Sequence, residues 1–366
     1  MSKINILLLG GTGTLSSAVM HEALHKGYSV TIMNRGIRKK NVPNGVEQLT
    51  CDFKNGAALE SIFTDRKFDV IVDFLSRKKE DIERVYPIFS TKCQQYIFIS
   101  SACVYRRALN DFPILETSPM PNNDWQYNIE KYECEKKLIE LSRIKDSVYT
   151  IIRPYITYDD ERIPLGLTPS YHYHRTIIER LREGKPWFVW DEGRAITTLT
   201  HTDDFAQAMV GLFLNINAYN EDFHITSGYQ CTQLELVELL FNKLGLCPNI
   251  ISFGTSEIVN TLPEYRGLLM GDRSLDAVFD NSKIINAVPG LSFDIDIEQG
   301  IERILNYWAA SSNYDYDYRF DAKIDRLIGK CTKVNYIRYR DDSSNSRFVY
   351  YCYRYLPLKI ATRLMR

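Results

Sequence analysis

The feature that most constrains the fold lies at the start of the chain. An apolar run at residues 4–9 leads into Gly10-Gly11-Thr12-Gly13, and helical periodicity follows as far as Leu24. A run that is apolar at every position predicts a strand buried on both faces. A sharp strand-to-helix turn needs residues without a Cβ. The amides that open the following helix attract a pyrophosphate. This segment therefore predicts a dinucleotide-binding turn on a parallel sheet.

The same alternation of strands and helices continues for about 150 residues. Strands are predicted at 30–33, 47–51, 70–74, 96–100 and 149–152, and helices at 57–63, 80–89 and 127–144. This pattern predicts an α/β protein with a Rossmann-type, doubly wound parallel sheet. After Pro154 the elements become irregular, which predicts a smaller mixed α/β lobe. We expect a dinucleotide-binding domain at 1–154, to which some later segments return, a smaller lobe at 155–311 and an extension at 312–366.

Composition excludes several classes of protein. Of the 366 residues, 45% are hydrophobic and 25% charged, which is typical of a globular chain, and the net charge of −1 argues against a strongly basic nucleic-acid binder. No apolar run approaches the roughly 20 residues of a membrane-spanning helix. The eight cysteines lack CxxC spacing and have no histidine at metal-ligand distance. We therefore expect a cytoplasmic protein with reduced thiols and no metal site.

The extension at 312–366 differs from the rest of the chain. It holds twelve Lys and Arg against six Asp, a net charge of +6, and it is rich in tyrosine, including Tyr336 and Tyr339. Such a segment can bind RNA, a membrane surface or a protein partner. The alternative is a helical cap packed on the preceding lobe, and this is the interpretation that we favour over nucleic-acid or membrane contact.

The glycine-rich turn supplies the predicted pyrophosphate ligands, which are Gly10, Thr12, Gly13, Thr14 and Leu15. Its third small position is Ser16 instead of Gly or Ala, and serine is still small enough for close packing of helix on strand.

The ends of the next two strands predict contacts to the adenosine half of the cofactor. An NAD site usually has an acid after the second strand, but this chain has Asn34 and Arg35. Because a guanidinium can bind a 2′-phosphate, the residues favour NADP over NAD. Arg35 can instead belong to an exposed basic loop with Arg38, Lys39 and Lys40. Asp52 can accept from the adenine amino group or form a turn, and Phe53 follows it among the predicted cofactor ligands.

A second group of residues carries acid–base chemistry. Ser101 follows the fifth strand, and Tyr127 and Lys131 lie four apart on one helix. An ammonium near a phenol lowers its pKa from about 10, so that the phenol can exchange a proton with a carbinol while a hydride moves to or from nicotinamide. Tyr132 and Lys136 have the same spacing, but only one of the two pairs can face the strand ends.

Taken together, these motifs resemble the extended short-chain dehydrogenase/reductase family of NAD(P)-dependent nucleotide-sugar epimerases, dehydratases and reductases. The resemblance covers residues 3–310 and rests on an ordered series of segments: GGTGTLS, SSACVY, YNIEK with Glu135 four residues beyond Lys131, RPYITY, THTDDFAQA, FHITSG and DNSK. It selects Tyr127 over Tyr132, and it implies Tyr127 as acid/base, Lys131 as modulator of its pKa and nicotinamide-ribose ligand, and Ser101 as a second partner of the substrate oxygen. Phe74 and Tyr155 are further predicted cofactor contacts, although Tyr155 can equally be a packing residue.

The chain departs from the family pattern at several positions. The fourth strand ends in Asp73-Phe74-Leu75-Ser76, where the family often has a histidine and small residues. Thr197 replaces a common phosphate-binding arginine, for which Arg266 or Arg273 are the predicted substitutes. Through these departures the chain resembles a divergent branch of the family, the chloroplast stem-loop-binding proteins. Those proteins keep the fold and are associated with RNA.

Two hypotheses follow. The first is an enzyme acting on a nucleotide-activated sugar, with epimerisation and 4-keto reduction ranked nearly level. Dehydration ranks last because Ala102 and Cys103 replace the acidic pair of the dehydratases. The second is a cofactor-bound scaffold of limited catalytic ability, whose basic extension binds RNA, a membrane surface or a protein partner. The resemblance also implies an NAD(P)-binding domain at 1–154, a substrate-binding lobe at 155–311, and a homodimer that pairs through a helical bundle including the Tyr127 helix.

Overall fold

The computed structural model describes residues 3–36, 42–107, 112–333 and 343–365. Arg38, Lys39, Lys40, Tyr336 and Tyr339 lie outside these residues. The chain forms two compact units. The first consists of Met1–Tyr158, Thr198–Tyr229 and Ala277–Asp296, and the second of Asp159–Thr197, Gln230–Asp276 and Ile297–Arg366.

The first unit is built on a seven-stranded sheet in which every pairing is parallel. Its strands are β1 (Asn5–Leu9), β2 (Ser29–Asn34), β3 (Glu47–Thr50), β4 (Phe68–Asp73), β5 (Cys93–Ile99), β6 (Tyr149–Pro154) and β10 (Glu221–Ile225). The order β10-β6-β5-β4-β1-β2-β3 reverses at β1, as in a doubly wound fold. The predicted fold class is therefore confirmed, and β10 is a later segment that returns to the sheet.

Helices cover both faces of this sheet. They are α1 (Thr14–His25), α2 (Gly56–Phe63), α3 (Lys79–Phe89), α4 (Gln126–Lys145), α6 (Thr202–Gly211) and α10 (Ser282–Ala287). Successive residues of a strand point to opposite faces. Ile6 and Leu8 accordingly join the core beneath α1, α6 and α10, whereas Leu7 and Leu9 join the core beneath α2, α3 and α4. Burial on both sides explains the uninterrupted apolar run of β1. Two further strands, β7 (Ile156–Tyr158) and β9 (Ile196–His201), pair in parallel.

The second unit is mainly helical. Its helices are α5 (Arg175–Arg182), α7 (Gln233–Lys243), α8 (Thr255–Thr261), α9 (Arg266–Leu268), α11 (Ile297–Ala310), α12 (Tyr318–Ile328), α13 (Ser344–Tyr355) and α14 (Leu358–Leu364), with a π-helical turn at Leu269–Arg273. Its strands are β8 (Trp187–Trp190), β11 (Gln230–Thr232) and β12 (Ile250–Phe253), of which β8 and β12 pair in parallel.

A buried ionic cluster fastens α12 and α13 within this unit. The guanidinium of Arg180 donates to Asp321 at 2.6 Å and to Asp325 at 2.5 Å, and the ammonium of Lys185 donates to the same two carboxylates at 2.6 and 3.0 Å. The hydroxyl of Tyr350 also donates to Asp325. Two cations therefore face two anions, and charge is balanced where water is excluded. The three helices α12 to α14 bury a shared apolar cluster as well.

Across the described ranges, no helix has both the length and the apolar character needed to cross a bilayer. None of the eight cysteines forms a disulfide in the structure.

Candidate active site

The predicted cofactor residues lie at the carboxyl edge of the parallel sheet. Gly10 follows β1 with a φ of +98°, and its amide donates to the carbonyl of Met33 at 2.8 Å. A Cβ at Gly10 would lie 2.7 Å from Leu75 Cδ2, and one at Gly11 would lie 2.5 Å from Ile32 Cγ2. Both glycines are therefore required sterically. The first-turn amides of α1, which include those of Thr14 and Leu15, have no acceptor within the helix and suit an anion.

Ser16, the residue that departs from the glycine fingerprint, closes this turn. Its hydroxyl donates to the Gly10 carbonyl at 2.7 Å and accepts from the Gly13 amide at 2.8 Å. The side chain is almost fully buried. Serine thus adds two hydrogen bonds that glycine or alanine could not provide, and these bonds stabilise the turn from within. Thr12 is buried in the same turn.

The end of β2 offers a donor that is suited to the ribose of a nucleotide. Asn34 Oδ1 accepts from the Gly36 amide at 2.8 Å and from Gln48 Nε2 at 3.3 Å. Its Nδ2 is buried and has no hydrogen-bond partner among the described residues. A buried donor without a partner is rare in a folded protein and suits a hydroxyl or phosphate oxygen of a ligand. Together with the glycine turn, this orphaned amide fits a dinucleotide. Arg35 is exposed beside it.

The two predicted residues after β3 behave differently from each other. Asp52 is exposed and accepts from the Lys54 amide at 3.1 Å, the geometry of an Asx turn. The ring of Phe53 packs into the core, with the guanidinium of Arg84 5.6 Å from its centroid. Phe53 can therefore reach a nucleotide only through its backbone.

Lys131 is the best-defined polar group at this edge of the sheet. Its buried ammonium donates to the carbonyls of Ser76 and Ile99, both at 2.8 Å, so it bridges the ends of β4 and β5. Burial lowers the pKa of Lys131 to about 8, a fall that the neighbouring Cys134 thiol and Asp73 carboxylate partly offset. At neutral pH the side chain is still mostly protonated. Two of its three N–H groups are used within the described protein, which leaves one for a ligand.

Asp73, a residue that sequence reasoning did not assign to the site, shapes the loop that holds Lys131. Its Oδ1 accepts from the amides of Leu75 and Ser76 at 2.8 and 2.9 Å, and its Oδ2 accepts from the hydroxyls of Ser76 and Tyr96. The carboxylate is fully buried. The loop is thus fixed so that the Ser76 carbonyl faces the ammonium. The Asp-Phe-Leu-Ser segment, which departs from the family pattern, is therefore a turn stabilised by hydrogen bonds to Asp73. The sequence signal for this turn was an Asp at the end of a buried strand with a Ser three residues later. Phe74 is half-buried in this loop.

Tyr127 and Lys131 lie one turn apart on α4. Tyr127 is half-buried, and its ring centroid is 4.8 Å from that of Trp125, the residue that precedes the helix. Lys136, by contrast, is exposed, pairs with Glu133 and lies over the ring of Tyr132. The register of the helix therefore turns Lys131, and not Lys136, toward the strand ends, and the facing of the Tyr127 hydroxyl stays a prediction.

Two serines follow β5. Ser101 is buried, and its hydroxyl accepts from the Cys103 amide at 3.2 Å, which opens a short 3₁₀ turn. An oxygen that accepts from an amide keeps its own hydrogen to donate. The hydroxyl of Ser100 is buried without a partner among the described residues.

A buried ion pair anchors the middle of α4 to the sheet. Arg153, at the end of β6, donates to both oxygens of Glu135 at 3.0 and 2.8 Å, to the Tyr105 hydroxyl at 2.8 Å and to Asp222. Glu135 lies one turn beyond Lys131. Because a bidentate pair fixes both position and direction, it sets the rotation of the helix that carries Tyr127 and Lys131.

Tyr155 is buried beside an aromatic and basic group. The Arg107 guanidinium donates to its hydroxyl at 3.3 Å and lies 4.9 Å from its ring centroid, and the Phe279 ring packs at 5.1 Å. Tyr155 therefore has the packing role that the sequence left open. Its cofactor contact stays a prediction.

In the second unit, the two predicted substrate arginines differ. Arg266 is exposed and donates to the sulfur of Met270. Arg273 ends the π-helical turn, forms an ion pair with the buried Asp272 at 2.6 Å, and accepts through its carbonyl from the Trp190 indole. Burial lowers the pKa of Arg162, and the positive charge of Arg273 lowers it further. Arg162 was missed by sequence reasoning, since no motif marks it.

Comparison with known proteins identifies the family. The family model described as "NAD dependent epimerase/dehydratase family" matches residues 6–225, a span that runs from β1 to the end of β10. The chain belongs to this family.

Its relatives have diverged from it considerably. The chain is 26% identical over 238 residues to the chloroplast stem-loop binding protein of 41 kDa b of Arabidopsis thaliana, an alignment that covers 62% of the chain and 59% of that protein. It is 24% identical over 276 residues to the divinyl chlorophyllide a 8-vinyl-reductase of the same plant, covering 68% and 59%. It thus spans 59% of the length of each of these relatives. It is 23% identical over 300 residues to a bifunctional UDP-glucose and UDP-xylose 4-epimerase of Pisum sativum, covering 68% and 85%.

Solved structures show the same fold. A UDP-glucose 4-epimerase from Bifidobacterium longum, solved with NAD⁺ and UDP, superimposes with a TM-score of 0.66 at 18% identity, covering 84% of this chain and 99% of that one. A UDP-glucuronic acid 4-epimerase from Bacillus cereus gives 0.65 at 18% identity, covering 82% and 98%.

Proposed function

We propose that the chain is an NAD(P)-dependent enzyme that modifies a nucleotide-activated sugar, as an epimerase or a 4-keto reductase. The observation that carries the proposal is the buried ammonium of Lys131, bridged between two strand ends one helical turn from Tyr127. A desolvated charge of this kind is costly to bury and is typical of a functional site. The epimerases among the relatives and solved structures support the choice of substrate class.

The cofactor would be held by residues of the first unit. Thr12, Gly13, Thr14 and Leu15 would surround the pyrophosphate through backbone amides, and the orphaned Asn34 amide would donate to the adenosine ribose. Arg35 beside it favours NADP, as the sequence predicts. When bound, nicotinamide supplies the hydride acceptor or donor.

The residues of the chain supply proton transfer and orientation. The remaining N–H of Lys131 would donate to a ribose hydroxyl, and the positive charge of this lysine would favour the phenolate of Tyr127. Tyr127 would take the hydroxyl proton of the sugar as the carbinol is oxidised, and return it when the ketone is reduced. Ser101 would donate to the same oxygen and hold it in register. Asp73 and Glu135 touch neither substrate nor cofactor in this scheme; they position Lys131 and the helix.

We further propose that Arg273 and its neighbour Arg162 bind the diphosphate of the substrate in place of the arginine that Thr197 replaces. Burial and the positive charge of Arg273 both lower the pKa of Arg162, so a bound diphosphate would offset the repulsion between the two guanidiniums. Exposed Arg266 is the weaker of the two predicted substitutes.

The homodimer implied by the family stays a proposal. The outward surface of α3 and α4 carries ion pairs, such as Lys137 with Glu83 and with Glu140. Interface centres are usually poor in charge. Sedimentation of the purified chain at micromolar concentration measures the oligomeric state directly.

A panel of UDP- and dTDP-hexoses and their 4-keto derivatives tests the proposed function. Each sugar is incubated with the purified protein and either NAD⁺ or NADPH, and products are followed by proton NMR at C4. Inversion of the configuration at C4 with no net consumption of cofactor identifies an epimerase. Stoichiometric loss of NADPH with a 4-keto sugar identifies a reductase. Cofactor that binds while every sugar is returned unchanged contradicts the enzyme proposal and leaves the scaffold.

A further inference from the structure

The last two helices each expose large apolar side chains. Of the twelve large hydrophobic residues that are exposed in the described chain, five belong to α13 and α14: Phe348, Tyr351, Tyr355, Ile360 and Leu364. The first three follow i, i+3, i+7 spacing and the last two i, i+4 spacing, so each helix presents one stripe. Ile360 is 49% and Leu364 57% exposed. We call these five side chains the apolar face.

The opposite side of the same helices is already used. Tyr350, Cys352 and Tyr353 of α13 and Ala361 of α14 are buried in a cluster with Ala322 of α12. The apolar face is therefore the side that the packing of the second unit leaves uncovered within the described residues. Exposed groups of large apolar side chains on a protein surface usually mark a binding site.

The charge on these helices is entirely positive. Residues 343–365 contain Arg347, Arg354, Lys359 and Arg363 and no Asp or Glu. Lys359 and Arg363 are exposed and flank Ile360 and Leu364 in the sequence. Aromatic and aliphatic side chains interleaved with basic ones are the pattern of a helix that lies in a membrane interface. The aromatic rings enter the headgroup region while the cations meet anionic lipid.

We propose that α13 and α14 dock the protein on an anionic lipid surface, with the apolar face inserted and Lys359 and Arg363 at the phosphates. A second copy of the chain is a poorer occupant, because a two-fold contact would set the same positive charges against each other. RNA is a poorer occupant because Ile360 and Leu364 gain nothing from base stacking. This proposal is independent of the proposed catalytic function.

Vesicle sedimentation with the full chain tests it. The wild type should bind vesicles of phosphatidylcholine and phosphatidylglycerol, and only weakly bind vesicles of phosphatidylcholine alone. The double variant Lys359→Gln/Arg363→Gln should bind the anionic vesicles about 25-fold more weakly, at about five-fold for each charge near the surface. The double variant Ile360→Ser/Leu364→Ser should lose at least ten-fold on the same vesicles.

A matched control uses exposed aliphatic residues elsewhere. Ile144→Ser/Ile216→Ser changes side chains that are 69% and 77% exposed and should bind vesicles as the wild type does. Equal binding by all three variants, or no anionic binding by the wild type, overturns the proposal. Light scattering that shows self-association abolished by Ile360→Ser/Leu364→Ser, or an RNA oligonucleotide retained more tightly than the vesicles, overturns it as well.

Discussion

Each unit of the protein buries an arginine between two carboxylates, and the two arrangements differ in what they hold. In the first unit Arg153 joins Glu135 and Asp222, and so fixes the helix that carries Tyr127 and Lys131. In the second unit Arg180 joins Asp321 and Asp325, with Lys185 as a second cation. The first pair serves a candidate active site, whereas the second fastens the C-terminal helices. Buried charge thus supports a candidate active site in the first unit and tertiary packing in the second.

The largest effect is expected in the second unit. Asp325→Ala leaves two buried cations facing only Asp321, so we expect it to lower the free energy of unfolding by about 3–5 kcal/mol. The double variant Arg180→Met/Asp325→Leu should cost less than this, because it leaves the balanced pair of Lys185 and Asp321. Urea unfolding followed by circular dichroism measures both.

The control for this prediction lies on α5, the helix that carries Arg180. Arg182→Met removes a half-exposed ion pair with Glu179 and should change stability by less than about 1 kcal/mol. A loss for Asp325→Ala no larger than that of the control would show that the cluster contributes little to stability.

A smaller loss is expected in the first unit. Glu135→Gln breaks the bidentate pair while Arg153 keeps Asp222 and Tyr105, so we expect a loss of about 2–3 kcal/mol in the free energy of unfolding. If the pair also sets the rotation of α4, turnover should fall together with stability. Glu133→Gln, whose partner Lys136 is exposed, is the matched control and should leave both unchanged. Full turnover in Glu135→Gln would remove the positioning role.

The glycine turn should show a loss of about 1–2 kcal/mol. Ser16→Ala removes one donor and one acceptor from a buried loop, which costs about 1 kcal/mol for each hydrogen bond. Because the pyrophosphate site is built on this loop, cofactor affinity should fall in parallel, as fluorescence titration would show. Ser17→Ala, one residue further along α1, is the control. Unchanged affinity in Ser16→Ala would mean that the turn holds its shape without the serine.

The pH dependence of Lys131 gives the smallest effect. The unfolded chain keeps this proton up to about pH 10.4, whereas the native side chain releases it above its pKa of about 8. Between these values the unfolded state binds more protons, so stability rises with pH. The unfolding free energy of the wild type minus that of Lys131→Met should therefore become more positive by about 1 kcal/mol from pH 7 to pH 9. If this signed quantity stays constant or becomes more negative, the lowered pKa of Lys131 is contradicted. Turnover should move in the opposite direction and fall above about pH 8, because the ammonium is lost.

The sequence predicts the first unit far better than the second. The apolar runs of β1, β2, β4 and β5 are local, and each lies next to a helix that covers it. The glycine turn and Ser101 each follow a predicted strand directly, and Lys131 lies on the helix between two predicted strands, so the local sequence already predicts polar groups at one edge of the sheet. The role of Asp73 was not predicted because it depends on the turn that the residue forms, and the two hydrogen bonds of Ser16 were not predicted because they depend on the folded loop.

In the second unit the important contacts are distant in sequence. Arg180 and Asp325 are 145 residues apart and belong to no motif. Composition marked residues 312–366 as basic and rich in tyrosine, but it could not show that Asp321, Asp325 and Tyr350 would be buried with Arg180 and Lys185. Exposure of the apolar face likewise depends on which stripe of α13 packs on α12. Charge balance is a property of the folded unit, and it is not visible in the order of residues along the sequence.

The most direct test compares the two tyrosines of α4. Tyr127→Phe and Tyr132→Phe each remove one hydroxyl, and both proteins are assayed for bound cofactor and for turnover of the sugar nucleotide identified from the panel. The account predicts that Tyr127→Phe binds cofactor as the wild type does but loses at least 100-fold in kcat, whereas Tyr132→Phe keeps both. Full turnover by Tyr127→Phe, or equal losses in the two variants, would contradict the claim that a phenol beside a buried ammonium carries the chemistry.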